Sequence, residues 1–473
     1  MTVDIFWLGF YMAVLFCLGY AAVALIHAGR RLGLVEACGL TICLGAGNLS
    51  LLLFVSSLFG HPPSRMVLAA GALIALFVLS ALAWRGLLPG VSLVTAGDFA
   101  PRPLWAVIAG GAFLAYLFAA VSVDSLFFPL YDWDGFAIWG LKAKVLYTTS
   151  LRERPEYFFQ PPLSFSHQDY PLLVPLLTAG VYGAVGQVSD SLGKMPQLLL
   201  YMALACIMYR ALRWQLPRGA AAMLALIGIS VPVLVRWAGA GNADLALTTF
   251  YGASVYYLVR GRWEGEWRSL VLAGLLTGFM AFSKNEGLAL AGINIFVLAL
   301  FSLRRLRGTP GKMLLLFFLS AALVLAPWLW WSQDLPRTHE DYASRLTISG
   351  ILGNLDRLGT IFGELGRQIV DRERWGLLWG LLIFAAILGY RGLKRLHVQA
   401  AWLLFGGHVA LYVLVYLVTP WDLGELLAIS LDRLLLHLVP TAVLLAGLHI
   451  AEFLSKPLSA LRSLSHEIPS ASE

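Results

Sequence analysis

The sequence predicts an all-α polytopic membrane protein. Three observations carry that prediction: the composition, a series of apolar stretches close to the length of a bilayer crossing, and basic residues clustered between those stretches. Of 473 residues, 59% are hydrophobic and 13% are charged, against roughly half and a quarter in soluble domains. That balance excludes an ordinary soluble enzyme. The opening Met1-Thr2-Val3-Asp4 lacks the basic run of a cleavable signal, so the first apolar stretch is expected to remain as a helix. The formal charge of +7 lies in short Lys/Arg clusters between apolar stretches, which is the positive-inside pattern and gives no indication of a nucleic-acid partner. Cys17, Cys38, Cys43 and Cys206 sit inside apolar stretches without metal-ligand spacing and read as buried thiols.

About twenty apolar residues cross the hydrocarbon core as a helix. On that measure spans fall near 5–26, 34–59, 66–84, 103–123, 196–211, 219–235, 243–259, 269–283, 287–303, 313–332, 375–390, 398–418 and 434–453, thirteen in all. The basic clusters are Arg30-Arg31, Arg85 with Arg102, Arg210 with Arg213 and Arg218, Arg260 with Arg262 and Arg268, Arg304-Arg305 with Arg307 and Lys312, and Arg391 with Lys394-Arg395. All share one side, expected to be cytoplasmic, provided that the stretch 171–187 does not cross. That stretch opens with two prolines and carries Gly180, Gly183 and Gly186, which suits a re-entrant or interfacial segment.

The map divides the chain into four parts. Residues 1–95 form an N-terminal extension of three transmembrane helices, and 96–333 a transmembrane module with the outer loop 124–195. Residues 334–454 hold a further outer loop and the C-terminal spans, and 455–473 form a serine-rich tail expected to be disordered on the cytoplasmic side. A third outer loop covers 419–433. No internal repeat is visible.

The outer loops hold the residues with chemistry. Tyr131-Asp132-Trp133-Asp134-Gly135-Phe136 places two carboxylates at the mouth of the first loop, where ionisable groups near a membrane are costly and mark function. Asp134 reads as the cap of an amphipathic interfacial helix whose stripe is Phe136, Trp139, Ala143, Leu146 and Tyr147, with Lys142 and Lys144 off it. The plainer reading makes Asp134 a helix cap and Asp132 a solvated loop residue. His167-Gln168-Asp169-Tyr170-Pro171 offers two ligands, too few for a metal site. Asp244 opens a span in Asn242-Ala243-Asp244-Leu245, where capping is an equal explanation. Lys284 in Ser283-Lys284-Asn285-Glu286-Gly287 calls for an anion, either Glu286 or a ligand phosphate. Arg433 suits bidentate phosphate recognition, with Asp432 or Asp422 as alternative partners.

Taken in order, these motifs resemble the GT-C superfamily of integral-membrane glycosyltransferases, in particular the bacterial branch of lipid A aminoarabinose transferases and protein O-mannosyltransferases. They are the acidic opening of an outer loop with its amphipathic helix, His167-x-Asp169-Tyr170-Pro171-Leu172-Leu173, Asn242-Ala243-Asp244-Leu245-Ala246-Leu247 and Lys284-Asn285-Glu286-Gly287. The resemblance covers about residues 100–435 and implies an inverting, lipid-linked-sugar-dependent glycosyltransferase. Such an enzyme moves a sugar from a polyprenyl-phosphate donor to a hydroxyl of an envelope lipid, as in lipopolysaccharide, or of a glycan or protein. It implies the bacterial inner (plasma) membrane with the site on the periplasmic face. Asp134, or Asp132, carries over as the catalytic carboxylate, Lys284 as the donor-phosphate lysine and Asp244 as the acid opening an earlier span, while Arg433 joins Lys284 on the phosphate. His167, Asp169, Tyr170, Glu286 and Lys142 are further candidates for the active site. The sequence departs from the family pattern in having three spans before the catalytic loop, and in Asp132-x-Asp134 where adjacent Asp-Glu is common.

A sugar phosphate leaves as a stable anion, so one carboxylate base with nearby cations suffices, and neither a cofactor nor a metal is required, although a divalent metal is compatible. The rival class is a transporter or flippase of a polyprenyl-linked or anionic solute, using the same Lys and Arg to line a pathway.

Overall fold

A computed structural model describes residues 2–92, 103–303, 309–336 and 342–466. Arg102, Arg304, Arg305 and Arg307 of the basic clusters, the boundary near 95, and the last residues of the tail lie outside them. The chain is almost wholly helical. Its sole sheet among the described residues is the parallel pair β1 (Arg31–Gly33) and β2 (Gly90–Ser92).

Helices α1 (Thr2–Ile26), α2 (Leu34–Leu58), α3 (Arg65–Trp84) and α4 (Leu104–Phe127) follow the first four expected spans. A π-helical turn at Gly135–Gly140 then leads into α5 (Leu141–Thr148), and three 3₁₀ turns precede α6 (Leu173–Val185). Next come α7 (Met195–Leu212), α8 (Arg218–Ile229), α9 (Pro232–Ala238), α10 (Asp244–Glu264), α11 (Trp267–Ser283), α12 (Asn285–Ser302) and α13 (Pro310–Ser332). The short α14 (Tyr342–Arg345) and α15 (Ile348–Leu352), the amphipathic α16 (Leu358–Val370) and α17 (Arg372–Trp375) lead to α18 (Leu378–Leu388), α19 (Leu396–Val418), α20 (Leu423–Leu436) and α21 (Val439–His466).

The protein is a multi-pass membrane protein, and length and apolarity alone support eight to ten of the thirteen expected spans. Among the described residues eight helices are long and apolar enough to cross, and ten if the bent pairs α8–α9 (64°) and α20–α21 (49°) each count as one. Pro232 starts α9 just after the first break, as expected of a residue without a backbone N–H. Three expected spans fail the test: α11 has 17 residues, α18 has 11, and α10 is rich in Thr, Ser, Gly and Tyr. The reason for α10 is its position. It packs among α7, α11, α12, α19 and α21 and is buried along nearly its whole length, so protein surrounds it and lipid sets no demand on its hydropathy. At 1.5 Å per residue its 21 residues run about 30 Å. By the same measure the 13 residues of α6 reach only about 20 Å, shorter than the hydrocarbon core.

The basic clusters converge at one end of the bundle. Glu36 on α2 accepts from Arg210 on α7 (2.6 Å) and from Arg260 (3.2 Å) and Tyr257 (3.0 Å) on α10. Arg30 pairs with Glu266 at 3.0 Å, Arg262 donates to the carbonyl of Phe301, and His397, two residues after Arg395, packs on Trp214 and Trp263. The gathering of guanidiniums from separate connections at one end is what a shared side requires.

Two expectations need correction here. Of the four thiols expected to be buried, Cys43 alone is: Cys38 is exposed, and Cys17 and Cys206 are partly buried. Residues 455–466, expected as unstructured tail, continue α21.

Candidate active site

Three connections and one helix meet at the other end of the bundle, opposite the arginine cluster. Residues 131–134 enter the π-helical turn, residues 239–243 join α9 to α10, Lys284 separates α11 from α12, and α20 arrives with Arg433. The first two are held together by close backbone approach. A Cβ on Gly135 would lie 2.8 Å from the Ala240 carbonyl, and Gly241 takes φ +87°, a region open to glycine at no steric cost. Asn242 crosses the junction and donates to Asp132 Oδ2 at 2.9 Å.

This arrangement reverses the expected roles of the two aspartates in the helix start. Asp132 is the cap: its carboxylate accepts from Gly135 N at 3.4 Å and its carbonyl from Phe136 N. Asp134 makes no capping bond. Its Oδ2 lies 2.6 Å from Nη2 of Arg433, and a cation at that distance outcompetes a neutral amide for a carboxylate. The π turn, a feature frequent at functional sites, also shifts the register of α5 behind it. Lys142, expected off the buried stripe, is fully buried, whereas Phe136 is exposed.

Arg433 joins Asp134 to Asp244. Its Nε and Nη2 lie 3.2 and 2.9 Å from Asp244 Oδ2, and its guanidinium sits over the Trp237 ring at 5.1 Å. Asp244 is 0% exposed and does not cap α10. Its Oδ1 accepts from Lys284 Nζ at 2.9 Å and lies 3.1 Å from His437 Nε2. Lys284 also reaches Glu286 Oε1 at 2.9 Å, so Glu286 is its partner together with Asp244. The alternative partners of Arg433 are engaged elsewhere: Asp432 accepts from the Arg433 backbone N–H, and Asp422 caps α20 at Glu425 N.

A carboxylate whose solvation is removed persists as an ion only if cations and hydrogen bonds replace the water, and Asp244 has four donor contacts from three side chains. The Asp134 side chain, 25% exposed, is the one carboxylate of this group that meets both Arg433 and solvent. It can accept a proton from an incoming group while the deeper cations hold a phosphate.

The remaining sequence candidates form a second layer on the outer loop. Lys142 Nζ donates to the Ser166 carbonyl at 2.7 Å and lies 5.4 and 5.6 Å from the Trp139 and Tyr170 rings. Burial pushes its pKa down to about 7, against the upward pull of Asp169 and Asp134. His167 adopts φ +48° and stacks on Tyr170 at 4.5 Å. Burial lowers its pKa too, and the nearby Lys142 adds to this. Trp133, Phe136 and Phe165 form an exposed aromatic group next to Asp134. Among the described residues no three His, Cys, Asp or Glu side chains form a group that could hold a metal.

Sequence reasoning missed Asn242, Trp237, His437 and Tyr412. A signal existed for His437, which follows Arg433 by four residues and so shares its helical face, as a polar residue in the apolar run Leu434 to Leu438.

Residues 169–331, about a third of the chain, match the model of the family described as dolichyl-phosphate-mannose-protein mannosyltransferase. The match contains Asp244, Lys284 and Glu286, and it falls within the stretch on which the motifs resemble the GT-C superfamily. No curated protein matches the sequence. Among solved structures the chain is similar to ArnT from Cupriavidus metallidurans bound to undecaprenyl phosphate, with TM-score 0.48, 15% identity, and 76% of this chain and 63% of that chain covered. It is also similar to the oligosaccharyltransferase AglB from Archaeoglobus fulgidus in complex with an inhibitory peptide and a dolichol-phosphate, with TM-score 0.40, 12% identity, and 78% of this chain and 53% of that one covered. The chain thus spans less than two thirds of the length of either.

Proposed function

We propose that this protein is an inverting glycosyltransferase that moves a sugar from a polyprenyl-phosphate carrier to a hydroxyl of a cell-envelope lipid, glycan or protein. Its setting in this reading is the bacterial inner membrane, with the site on the periplasmic face. The observation that carries the proposal is the cluster Asp134–Arg433–Asp244–Lys284–Glu286, which sets a partly exposed carboxylate above buried cations at the end of the bundle away from the arginine cluster. The family match over 169–331 supports the same class.

In this reading Asp134 takes the proton of the acceptor hydroxyl as its oxygen attacks the anomeric carbon. The bond from that carbon to the phosphate oxygen breaks, and the electron pair leaves with the polyprenyl phosphate. Arg433 and Lys284 hold the phosphate as its charge grows, which is electrostatic stabilisation by groups already in place. A single displacement inverts the anomeric centre, and the phosphate leaves without a general acid. No step calls for a metal.

Intact-lipid mass spectrometry of a strain lacking the protein tests the reading, with accumulation of one polyprenyl-phosphate sugar expected. Purified protein should then convert that lipid to free polyprenyl phosphate and a glycosylated acceptor. Movement of the lipid across vesicle membranes with its sugar bond intact would instead establish a transporter.

A further inference from the structure

Behind the cations lies a buried chain of hydrogen bonds that the transfer chemistry above does not use. His437 stands at the break between α20 and α21 and is 0% exposed. Its Nε2 is 3.1 Å from Asp244 Oδ1, and its Nδ1 is 2.6 Å from the hydroxyl of Tyr412 on α19. The His408 ring lies parallel to it at 6.3 Å and meets the Tyr412 ring at 4.5 Å, filling the space on that side.

The partners decide the tautomer. Asp244 carries two cations and is an acceptor only, so His437 Nε2 must bring the proton. Nδ1 is then a lone pair, and the Tyr412 hydroxyl donates to it. Tyr412 therefore fixes which imidazole nitrogen faces Asp244, as the outer partner of a ligating or catalytic histidine commonly does. The consequence reaches Arg433. Oδ1 of Asp244 is held by His437 and Lys284, which leaves Oδ2 to both nitrogens of Arg433 and fixes the guanidinium plane between Asp244 and Asp134. Three elements distant in sequence, α10, α19 and the α20–α21 break, converge on this one carboxylate.

We propose that His437, oriented by Tyr412, is a positioning residue that sets the Asp244 carboxylate, and through it Arg433 and Lys284, in register for the phosphate of a lipid-linked donor. The proposal rests on the phosphate-handling reading above. A histidine that only filled the core would be replaceable by any side chain of similar size. A positioning histidine is replaceable only by one that keeps a donor at Nε2.

The experiment measures binding of undecaprenyl phosphate to the full-length protein in nanodiscs, alongside thermal unfolding, for the wild type and for Tyr412→Phe, His437→Gln and His437→Leu. Glutamine can present its amide N–H near the place of Nε2, while leucine cannot. Tyr412→Phe and His437→Leu should weaken binding about tenfold or more, equivalent to about 1.4 kcal/mol or more. His437→Gln should recover most of that loss. Equal binding by the wild type, Tyr412→Phe and whichever His437 variants fold would overturn the proposal, as would a loss in Gln matching that in Leu. Should His437→Leu fail to fold, the comparison of Tyr412→Phe with His437→Gln still decides. Absence of binding by the folded wild type would sink the phosphate-site reading itself, and is distinguishable from either result because it precedes any substitution.

Discussion

The carboxylate of Asp134 lies 2.6 Å from the guanidinium of Arg433, so the group best placed to accept a proton rests in an ion pair with the group best placed to hold a phosphate. A donor phosphate that draws Nη2 away from Asp134 frees the carboxylate at the moment when a base is needed. Asp134→Asn removes the basic charge while Asp132 keeps the cap. Transfer should fall on the order of a hundredfold or more, the scale of a lost general base, with unfolding temperature little changed. Quantifying released polyprenyl phosphate by mass spectrometry checks the first part, and near-normal release would remove Asp134 from the reaction.

Asp132 should behave as a structural carboxylate. Asp132→Ala loses a helix cap, typically about 1 kcal/mol, together with the bond from Asn242. A double-mutant cycle with Asn242→Ala should show coupling, so that the double variant is less destabilised than the sum of the singles. Additive losses in thermal unfolding would separate the two residues.

Lys284, read from the sequence as a cation that calls for an anion, has two carboxylate partners, Asp244 and Glu286, each at 2.9 Å. Lys284→Ala leaves Asp244 and Glu286 short of countercharge in a buried site, a situation that costs about 3–5 kcal/mol when one partner of a buried pair is removed. Unfolding in detergent should show a clear loss of stability, partly restored by Asp244→Asn in the same chain. An unchanged melting temperature in the single variant would contradict the pairing.

Lys142 gives a pH dependence whose sign is fixed. Its folded pKa of about 7 lies below the ordinary 10.5, so between these values the unfolded chain binds the proton that the folded one has released. Stability from this group therefore rises with pH across about 7 to 10.5, by at most about 1.4 kcal/mol per pH unit, and is flat below 7. Lys142→Met should abolish that part of the slope, and parallel curves for the two proteins would exclude it.

Much of this was legible in the sequence, and the failures have identifiable causes. Apolar length located all thirteen helical stretches, because the bilayer imposes its thickness on any helix that faces it. Length and apolarity do not by themselves mark α10, α11 and α18 as crossings. Protein neighbours, rather than lipid, set the polarity of α10, and α11 and α18 have only 17 and 11 residues. The site was legible where charge is expensive: Asp134, Asp244, Lys284, Glu286 and Arg433 stood out as ionisable groups beside apolar runs, and the structure brings all five together. Which aspartate capped the π-helical turn was not legible, because the choice depends on Arg433, about 300 residues further along the chain. The burial of Lys142 was hidden for a related reason: a π turn changes which residues share a face, and the usual helical period does not anticipate it.

The three helices at the N-terminus also set the terms on which the rest can be handled. Glu36 is the shared counterion of Arg210 and Arg260, Ser50 and Tyr11 bond the carbonyls of Leu173 and Leu177, and Arg65 closes the end of α6 at Ala184 and Val185. A chain shortened to begin near residue 96 would keep every group of the proposed active site. It would also take Glu36 from Arg210, leave Arg260 with Glu264 as its ion-pair partner, and leave α6 without its backing. Excision would produce a damaged protein in place of a minimal one, and transplanting the half that carries the site onto another membrane anchor would require a new acid at the position of Glu36.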